Sequence, residues 1–240
     1  YKEIRFFYEQ IPFISRNLCY LGPFRSPLKR VYPYRLGVKD IGSEGENAPY
    51  IFCNQSNNVS DKLSARIKGF MESDFGGKYI SVKQSEIGFS LVVKNGSSEN
   101  NIVDDGVGYS QFFPLLVSRL SKLDSSHNTI EIIEQPELHL HPAASGIVAD
   151  LYFTALNNLS NTIILETHSK ELLLRLRRRV AEKSAHFQDI NIIYTESNSG
   201  NCTVNYIKMN QFGELDWWPS GVFEESFEEV IKIREAKDGH

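Results

Sequence analysis

Residues 130–142 run Ile-Glu-Ile-Ile-Glu-Gln-Pro-Glu-Leu-His-Leu-His-Pro, an apolar strand that stops at a carboxylate, an amide and a proline. A carboxylate at the rim of a sheet is placed to hold Mg²⁺ directly or through water, and a neighbouring amide to orient an attacking water, the chemistry of nucleotide hydrolysis. Glu134 is the candidate acid and Gln135 the candidate water-positioning group. Pro136 predicts the end of the strand because it cannot donate a ladder hydrogen bond. A second apolar run, Thr162-Ile-Ile-Leu-Glu166, stops at Thr167-His168-Ser169. In open α/β sheets ligands sit in the crevice at the carboxyl ends of the strands, so two polar tips in one βαβ unit predict one site. His168 would then reach a γ-phosphate or the water beside Glu134, while Ser169 or Thr167 caps the helix that follows. Each tip alone also fits a plainer reading, a polar loop after a buried strand and a histidine in a capping turn; the pair favours chemistry.

Asp104-Asp-Gly-Val-Gly-Tyr-Ser-Gln111 puts Gly106, Gly108 and the Ser110 hydroxyl just ahead of a helix running into Phe112, Leu115, Leu116 and Leu120. Backbone N–H groups at such a helix start, with glycines allowing close approach, can cradle phosphate. A Gly-x-Gly is usually only a turn; its place immediately upstream of the acidic strand raises its weight. His139 and His141 offer a rival, a zinc site completed by Glu134 or His168. Strand alternation would align the two imidazoles, but Pro136 argues against a continued strand. Arg175, Arg177, Arg178 and Arg179 share a helix whose apolar face is Leu172, Leu173, Leu176 and Val180. They read as a solvated face or as a contact for nucleic acid or a partner protein.

The elements that must position these residues follow from hydrophobic period. Residues 1–52, rich in aromatics, prolines and basic side chains, read as irregular backbone with short strands or helices. Residues 59–75, with Leu63, Ile67 and Phe70, read as an amphipathic helix. Residues 79–83 and 89–94 alternate as two antiparallel strands, and 95–101 reads as a loop. From Asp104 the pattern becomes α/β: helix 109–122, strand 129–134, helix 143–159, strand 162–166, helix 169–183 and strand 190–195. Strands alternating with helices predict a mainly parallel sheet flanked by helices. A closing strand at 203–208 and a polar helix over 224–236 complete the expectation.

The 240 residues are 41% hydrophobic, enough to fill a core. With 26 Lys plus Arg against 30 Asp plus Glu, the net charge of -4 gives no whole-chain reason to expect nucleic-acid binding, so any such contact is local. Three scattered cysteines, Cys19, Cys53 and Cys202, argue against a disulfide framework and point to a reducing cytoplasm. No run approaches the roughly 18–20 apolar residues that a bilayer span needs, so no membrane is expected. Tyr1 in place of an initiator Met suggests a piece of a longer protein.

In order, Gly106–Gln111, Ile132–Pro142 and Glu166–Ser169 resemble the second half of an ABC-type ATPase, a P-loop NTPase from the branch containing RecF, SMC and OLD-family proteins. The group most resembled is the bacterial stand-alone one that includes the PtuA ATPases of Septu-type defence systems. The Tyr20-Leu-Gly-Pro-Phe-Arg25 stretch and the ending Asp216-Trp-Trp-Pro-Ser-Gly-Val-Phe-Glu-Glu225 extend the resemblance over most of the chain. It implies that Gly106–Gln111 is the signature motif, Glu134 the Walker B acid, Gln135 the occupant of the catalytic-glutamate position and His168 the switch histidine. Residues 1–103 become a linking and insertion region with a helix and antiparallel strands, and 104–240 the C-terminal ATPase lobe. ATP and Mg²⁺ are the implied ligands, and a homodimer or higher oligomer sandwiching ATP the implied assembly. A partner nuclease in an antiphage complex is implied by the defence group.

Two departures qualify the resemblance. No Gly-x-x-x-x-Gly-Lys-[Ser/Thr] occurs, since Gly77-Lys78 is followed by Tyr, and the P-loop portion is therefore expected to lie outside this sequence. Gln135 replaces glutamate, and an amide orients water but is no general base, so hydrolysis should slow unless Glu137 substitutes. A slow ATPase and a non-hydrolysing, nucleotide-gated scaffold both remain open.

Overall fold

The computed structural model describes residues 17–56, 62–123, 129–153, 161–198, 200–219 and 222–223. The chain divides into two compact units, Tyr1–Leu172 and Leu173–His240.

The first unit is built on a parallel sheet of three strands, β1 (Leu18–Leu21), β5 (Thr129–Glu134) and β6 (Asn161–Glu166), with β5 in the middle. Leu21 lies opposite Ile133 on one side of β5, and Glu134 lies opposite Glu166 on the other. Along β5, Thr129, Glu131 and Ile133 are buried while Ile130, Ile132 and Glu134 are only half covered, the period of two that a pleated strand imposes. Helices α1 (Ala48–Ser56), α2 (Lys62–Asp74), α3 (Val107–Leu120) and α4 (Pro142–Phe153) accompany the sheet. Helix α3 is buried on every face from Gln111 to Leu120, as a helix in the middle of a core must be. Phe52 of α1 meets Phe113 of α3 edge to face with ring centroids 5.5 Å apart. Gly45, at φ +71, lets the backbone pass Pro114 of α3, whose Cβ would lie 2.4 Å from any Cβ there.

An ion pair is driven into this core. Glu131 points inward from β5 and accepts from Arg119 Nη1 of α3 at 2.6 Å, both side chains being 0% exposed. Lys122 Nζ stands 3.6 Å from the other carboxylate oxygen. The pair ties α3 to β5, because an inward carboxylate without its guanidinium would be strongly unfavourable.

An antiparallel sheet of β2 (Tyr79–Ser85), β3 (Gly88–Asn95) and β4 (Ser98–Asn101) completes the first unit, with β3 central. One expectation is corrected here. The loop assigned to 95–101 contains β4, paired from Asn95↔Ser98 to Val92↔Asn101. Its all-polar Ser-Glu-Asn-Asn gives no hydrophobic period, and the ladder to β3 holds it instead. The short strands expected within 1–52 include β1, whose four residues are too few to show a period.

In the second unit, β7 (Ile192–Asn198) and β8 (Asn201–Ile207) form a separate antiparallel hairpin, so the strand expected at 190–195 does not extend the parallel sheet and 203–208 does not close it. The register closes at Asn198↔Asn201, with Gly200 at φ +86 in the tight turn that such hairpins favour. Helix α5 (Lys170–Ala181) starts in the first unit and continues into the second. Helix α2 retains the expected Leu63 and Ile67 face with Met71 as its third buried residue. Residues 59–61 and 154–159 of two expected helices, and all of the helix expected at 224–236, lie outside the described residues. Among the described residues no helix is long and apolar enough to cross a membrane.

Candidate functional site

Strand β5 ends at Glu134, and the next residue, Gln135, turns the chain with φ +42. Pro136 ends the ladder as expected, but the strand's tip does not fray. The Gln135 N–H donates to the Glu166 carbonyl at 2.9 Å, so the tips of β5 and β6 are bonded directly. The turn then folds on itself, Leu138 N donating to Gln135 O at 3.0 Å and Leu140 N to Glu137 O at 2.9 Å, with His139 at φ +61.

A second tie crosses between the tips. Glu137 Oε1 accepts from the Thr167 hydroxyl and from the His168 N–H, each at 2.8 Å. The Thr167 oxygen in turn accepts from Ser169 N at 3.0 Å, and Ser169 Oγ accepts from Leu172 N at 3.1 Å. Ser169 is thus the cap of α5, as its residue type and place suggested. The His168 imidazole projects outward, 76% exposed, with Nε2 3.0 Å from Glu166 Oε1.

Behind the β5 tip lies Arg25, only 5% exposed. Its Nη2 donates to Glu134 O at 2.8 Å, and its Nη1 to Gln135 O at 2.9 Å and Pro23 O at 3.0 Å. A planar guanidinium with five fixed donors suits three carbonyls converging at a strand end. Burial lowers the Arg25 pKa, opposed by Tyr152 and Glu137, and the group stays charged because an arginine begins so far above neutrality. Tyr20 of β1 stands beside Glu134; desolvation first, and then the Glu134 carboxylate, push its phenol pKa upward. Sequence reasoning did not single out Arg25 or Tyr20 for this corner, although both lie in the Tyr20–Arg25 stretch it quoted.

The helix start is a neighbour of this corner. Gly106 is the residue before α3, at φ +105, with no side-chain cap and nothing within 4 Å of the position a Cβ would take. The glycine serves the backbone conformation there. A Cβ on Gly108 would lie 3.9 Å from Leu140 Cδ2, which brings that turn against the loop that follows β5. Ser110 Oγ accepts a long hydrogen bond of 3.5 Å from Leu28 N. Gln111 differs from its neighbours: it is 7% exposed, its Oε1 is buried without a hydrogen-bond partner among the described residues, and it faces the interior.

The structure therefore gathers Glu134, Gln135, Glu137 and His168 at one sheet edge and sets Gly106, Gly108 and Ser110 nearby. Glu134 offers one half-covered hard oxygen donor with Glu166 in register beside it, a set that suits Mg²⁺, which keeps several waters and takes few protein ligands. Zinc finds no such set, since no group of three His, Cys, Asp or Glu among the described residues could hold a metal. His139 and His141 are exposed, and His141 Nδ1 accepts from Ala143 N at 3.2 Å. The basic run of α5 is largely engaged within the chain: Arg177 Nε donates to Gly213 O at 2.7 Å, and Arg178 and Arg179 both meet Glu182, at 3.3 and 3.1 Å.

Comparison with solved structures shows low-identity similarity to SMC proteins. One is an SMC ATPase studied for ATP-driven dimerization and DNA-stimulated activation, at 14% identity and TM-score 0.48, covering 70% of this chain and 90% of that one. Another is the Smc head domain of Pyrococcus furiosus with an extended coiled coil, bound to the C-terminal domain of ScpA. It matches at 14% identity and TM-score 0.44, covering 80% of this chain and 41% of that one. The Smc head of Pyrococcus yayanosii, with a coiled coil and joint, matches at 13% identity and TM-score 0.45, covering 62% and 27%. A comparison with curated proteins found no match. The family model described as an AAA ATPase domain matches residues 49–173, which includes α3, β5, the Gln135–Leu140 turn, β6 and His168. That match spans just over half of the 240 residues, and the chain belongs to the AAA ATPase domain family.

Proposed function

We propose that this chain is the C-terminal lobe of an ABC-type ATPase that binds ATP with Mg²⁺ at the β5–β6 edge and dimerises around the nucleotide. The observation that carries this reading is the direct bond between the strand tips, Gln135 N to Glu166 O at 2.9 Å, which puts Glu134, Gln135 and His168 on one rim. Mg²⁺ supplies charge neutralisation at the phosphates when bound, and Glu134 is the residue to hold it. Gln135 orients a water and His168 senses the γ-phosphate. Gly106, Gly108 and Ser110 offer the uncapped first turn of α3 to the phosphates bound by the partner copy. Gln111 would have to leave the interior to join them. The cradle for the β- and γ-phosphates is not supplied by these 240 residues.

A second reading has one specific observation in its favour. Gln135 carries no basic carboxylate, so the same site suits a nucleotide-gated scaffold that turns over slowly or not at all and controls a partner nuclease in a cytoplasmic bacterial antiphage complex. The exposed part of the Arg175, Arg177, Arg178 and Arg179 run is where nucleic acid would be met. Magnesium-dependent ATP binding and hydrolysis, measured for wild type, Gln135→Glu and Glu134→Gln, separate the readings. Brisk wild-type turnover lost in Glu134→Gln supports the ATPase; slow turnover that rises in Gln135→Glu supports the scaffold. An absence of Mg²⁺-dependent ATP binding by wild type would sink both.

A further inference from the structure

We infer that Glu137 is a positioning residue that fastens the His168 loop to the tip of β5, and that it works by accepting hydrogen bonds and not by accepting a proton from water. The inference rests on the nucleotide reading for its consequence in turnover, but its geometric content stands without nucleotide.

Three observations carry it. First, one oxygen of Glu137 is committed twice, to the Thr167 hydroxyl and to the His168 N–H, both at 2.8 Å. An oxygen that already accepts two such bonds has its lone pairs engaged and none left to meet a water. Second, the other oxygen, Oε2, is buried and has no hydrogen-bond partner among the described residues. An oxygen closed off from solvent is badly placed to take a proton from an attacking water. Third, the turn that carries Glu137 is itself held. Arg25 binds the carbonyls of Glu134 and Gln135, and the Leu138 and Leu140 N–H groups close the turn. A side chain on a fixed turn that grips a backbone N–H transmits that fixed position to the residue gripped. Here the residue gripped is His168, whose imidazole is exposed and meets Glu166.

The chemistry separates a clamp from a base. A glutamine side chain at position 137 would keep a carbonyl oxygen able to accept both bonds, whereas it could not take up a proton at neutral pH. Glu137→Gln should therefore preserve the clamp, and Glu137→Ala should open it. Thr167→Val removes one of the two donors at nearly constant shape and also the acceptor of the Ser169 N–H, so for this variant only the His168 amide is read.

The test uses the full chain and reads backbone amide exchange at His168 and Ser169, with thermal unfolding as a check on folding. Loss of one hydrogen bond of ordinary strength predicts about tenfold faster exchange of the His168 amide in Glu137→Ala. Glu137→Gln should stay within about threefold of wild type, since its carbonyl retains the bond. Thr167→Val should fall between them. In turnover of Mg²⁺-ATP, Glu137→Gln should keep kcat near wild type while Glu137→Ala lowers it with KM little changed. The proposal is overturned if Glu137→Gln loses turnover as Glu137→Ala does while its amide exchange remains that of wild type, because Glu137 is then a proton acceptor. It is equally overturned if Glu137→Ala leaves His168 exchange unchanged. Should wild type bind no ATP, the exchange result still decides the clamp, and only the nucleotide reading fails.

Discussion

Arg25 and Gln135 meet through a hydrogen bond of 2.9 Å from Nη1 to the backbone carbonyl, across 110 positions of sequence. Gln135 sits at φ +42, a region that side chains other than Gly, Asn or Asp seldom occupy, and the bond helps hold it there. The backbone of Gln135 is thus held by a buried charge from the loop after β1.

Replacing Arg25 by Met would strip the Pro23, Glu134 and Gln135 carbonyls of a charged donor at once. The expected loss is roughly 2–4 kcal/mol, since hydrogen bonds to charged groups are the stronger kind and their partners would stay buried. Urea unfolding of wild type and Arg25→Met measures it, and a loss under about 0.5 kcal/mol would show that the carbonyls find water instead.

The buried pair of Arg119 and Glu131 makes a different prediction. Glu131→Gln leaves an uncompensated guanidinium in the core and should cost about 3–5 kcal/mol, whereas the double change Arg119→Met with Glu131→Leu should recover most of it. Comparing the single and double variants by denaturant unfolding checks this, with Lys122 at 3.6 Å as the group that would blunt the recovery.

Tyr152 predicts the alkaline limb of stability. Its phenol is buried, and desolvation, with Glu131 next, raises its pKa well above the usual value. A raised folded-state pKa means stability that is complete below the unfolded value of about 10 and is lost as pH rises through the folded pKa. Tyr152→Phe removes that titration, so the alkaline unfolding midpoint should move upward. Near neutrality the change should lie within about 1 kcal/mol, because the hydroxyl has no hydrogen-bond partner among the described residues.

At the proposed nucleotide site, Gln135→Glu restores a general base where the amide stands. A positioned base contributes typically 10²–10⁴-fold, so turnover should rise at least about tenfold even with imperfect geometry. Steady-state phosphate release at saturating Mg²⁺-ATP reads it. An unchanged rate with intact ATP binding would place the limiting step outside water activation.

Much of this corner was legible because each signal was local. The apolar run ending at Glu134, the proline two residues on, and the Ser169 cap each depend on neighbours within a few positions, where period and capping chemistry act. Helix α3 begins at Val107, two residues before its expected start, because Gly106 marks the boundary without a side-chain cap. Gln111 was grouped with Gly106, Gly108 and Ser110 by order along the chain. It lies inside because α3 is enclosed from that residue onward.

Three features needed the third dimension. Strand β1 has four residues and no period of its own, and only the parallel register with β5, Leu18 opposite Ile130, makes it a strand. Strand β4 is wholly polar and owes its form to the ladder with β3. Strands β7 and β8 follow the α/β rhythm in sequence yet pair with each other, since a two-residue hairpin forms before any longer crossover is required.

The amino-acid order by itself determined where the strands near the site begin and end, and which side chains stand at their tips, because those outcomes rest on contacts between near neighbours. Only the folded chain decided that Arg25 holds the Glu134 and Gln135 carbonyls, that Glu137 grips Thr167 and His168, and that Arg119 neutralises Glu131. These are bonds between polar groups distant along the chain. They form where packing removes water and leaves each buried donor or acceptor needing a partner, a requirement that no local spacing records.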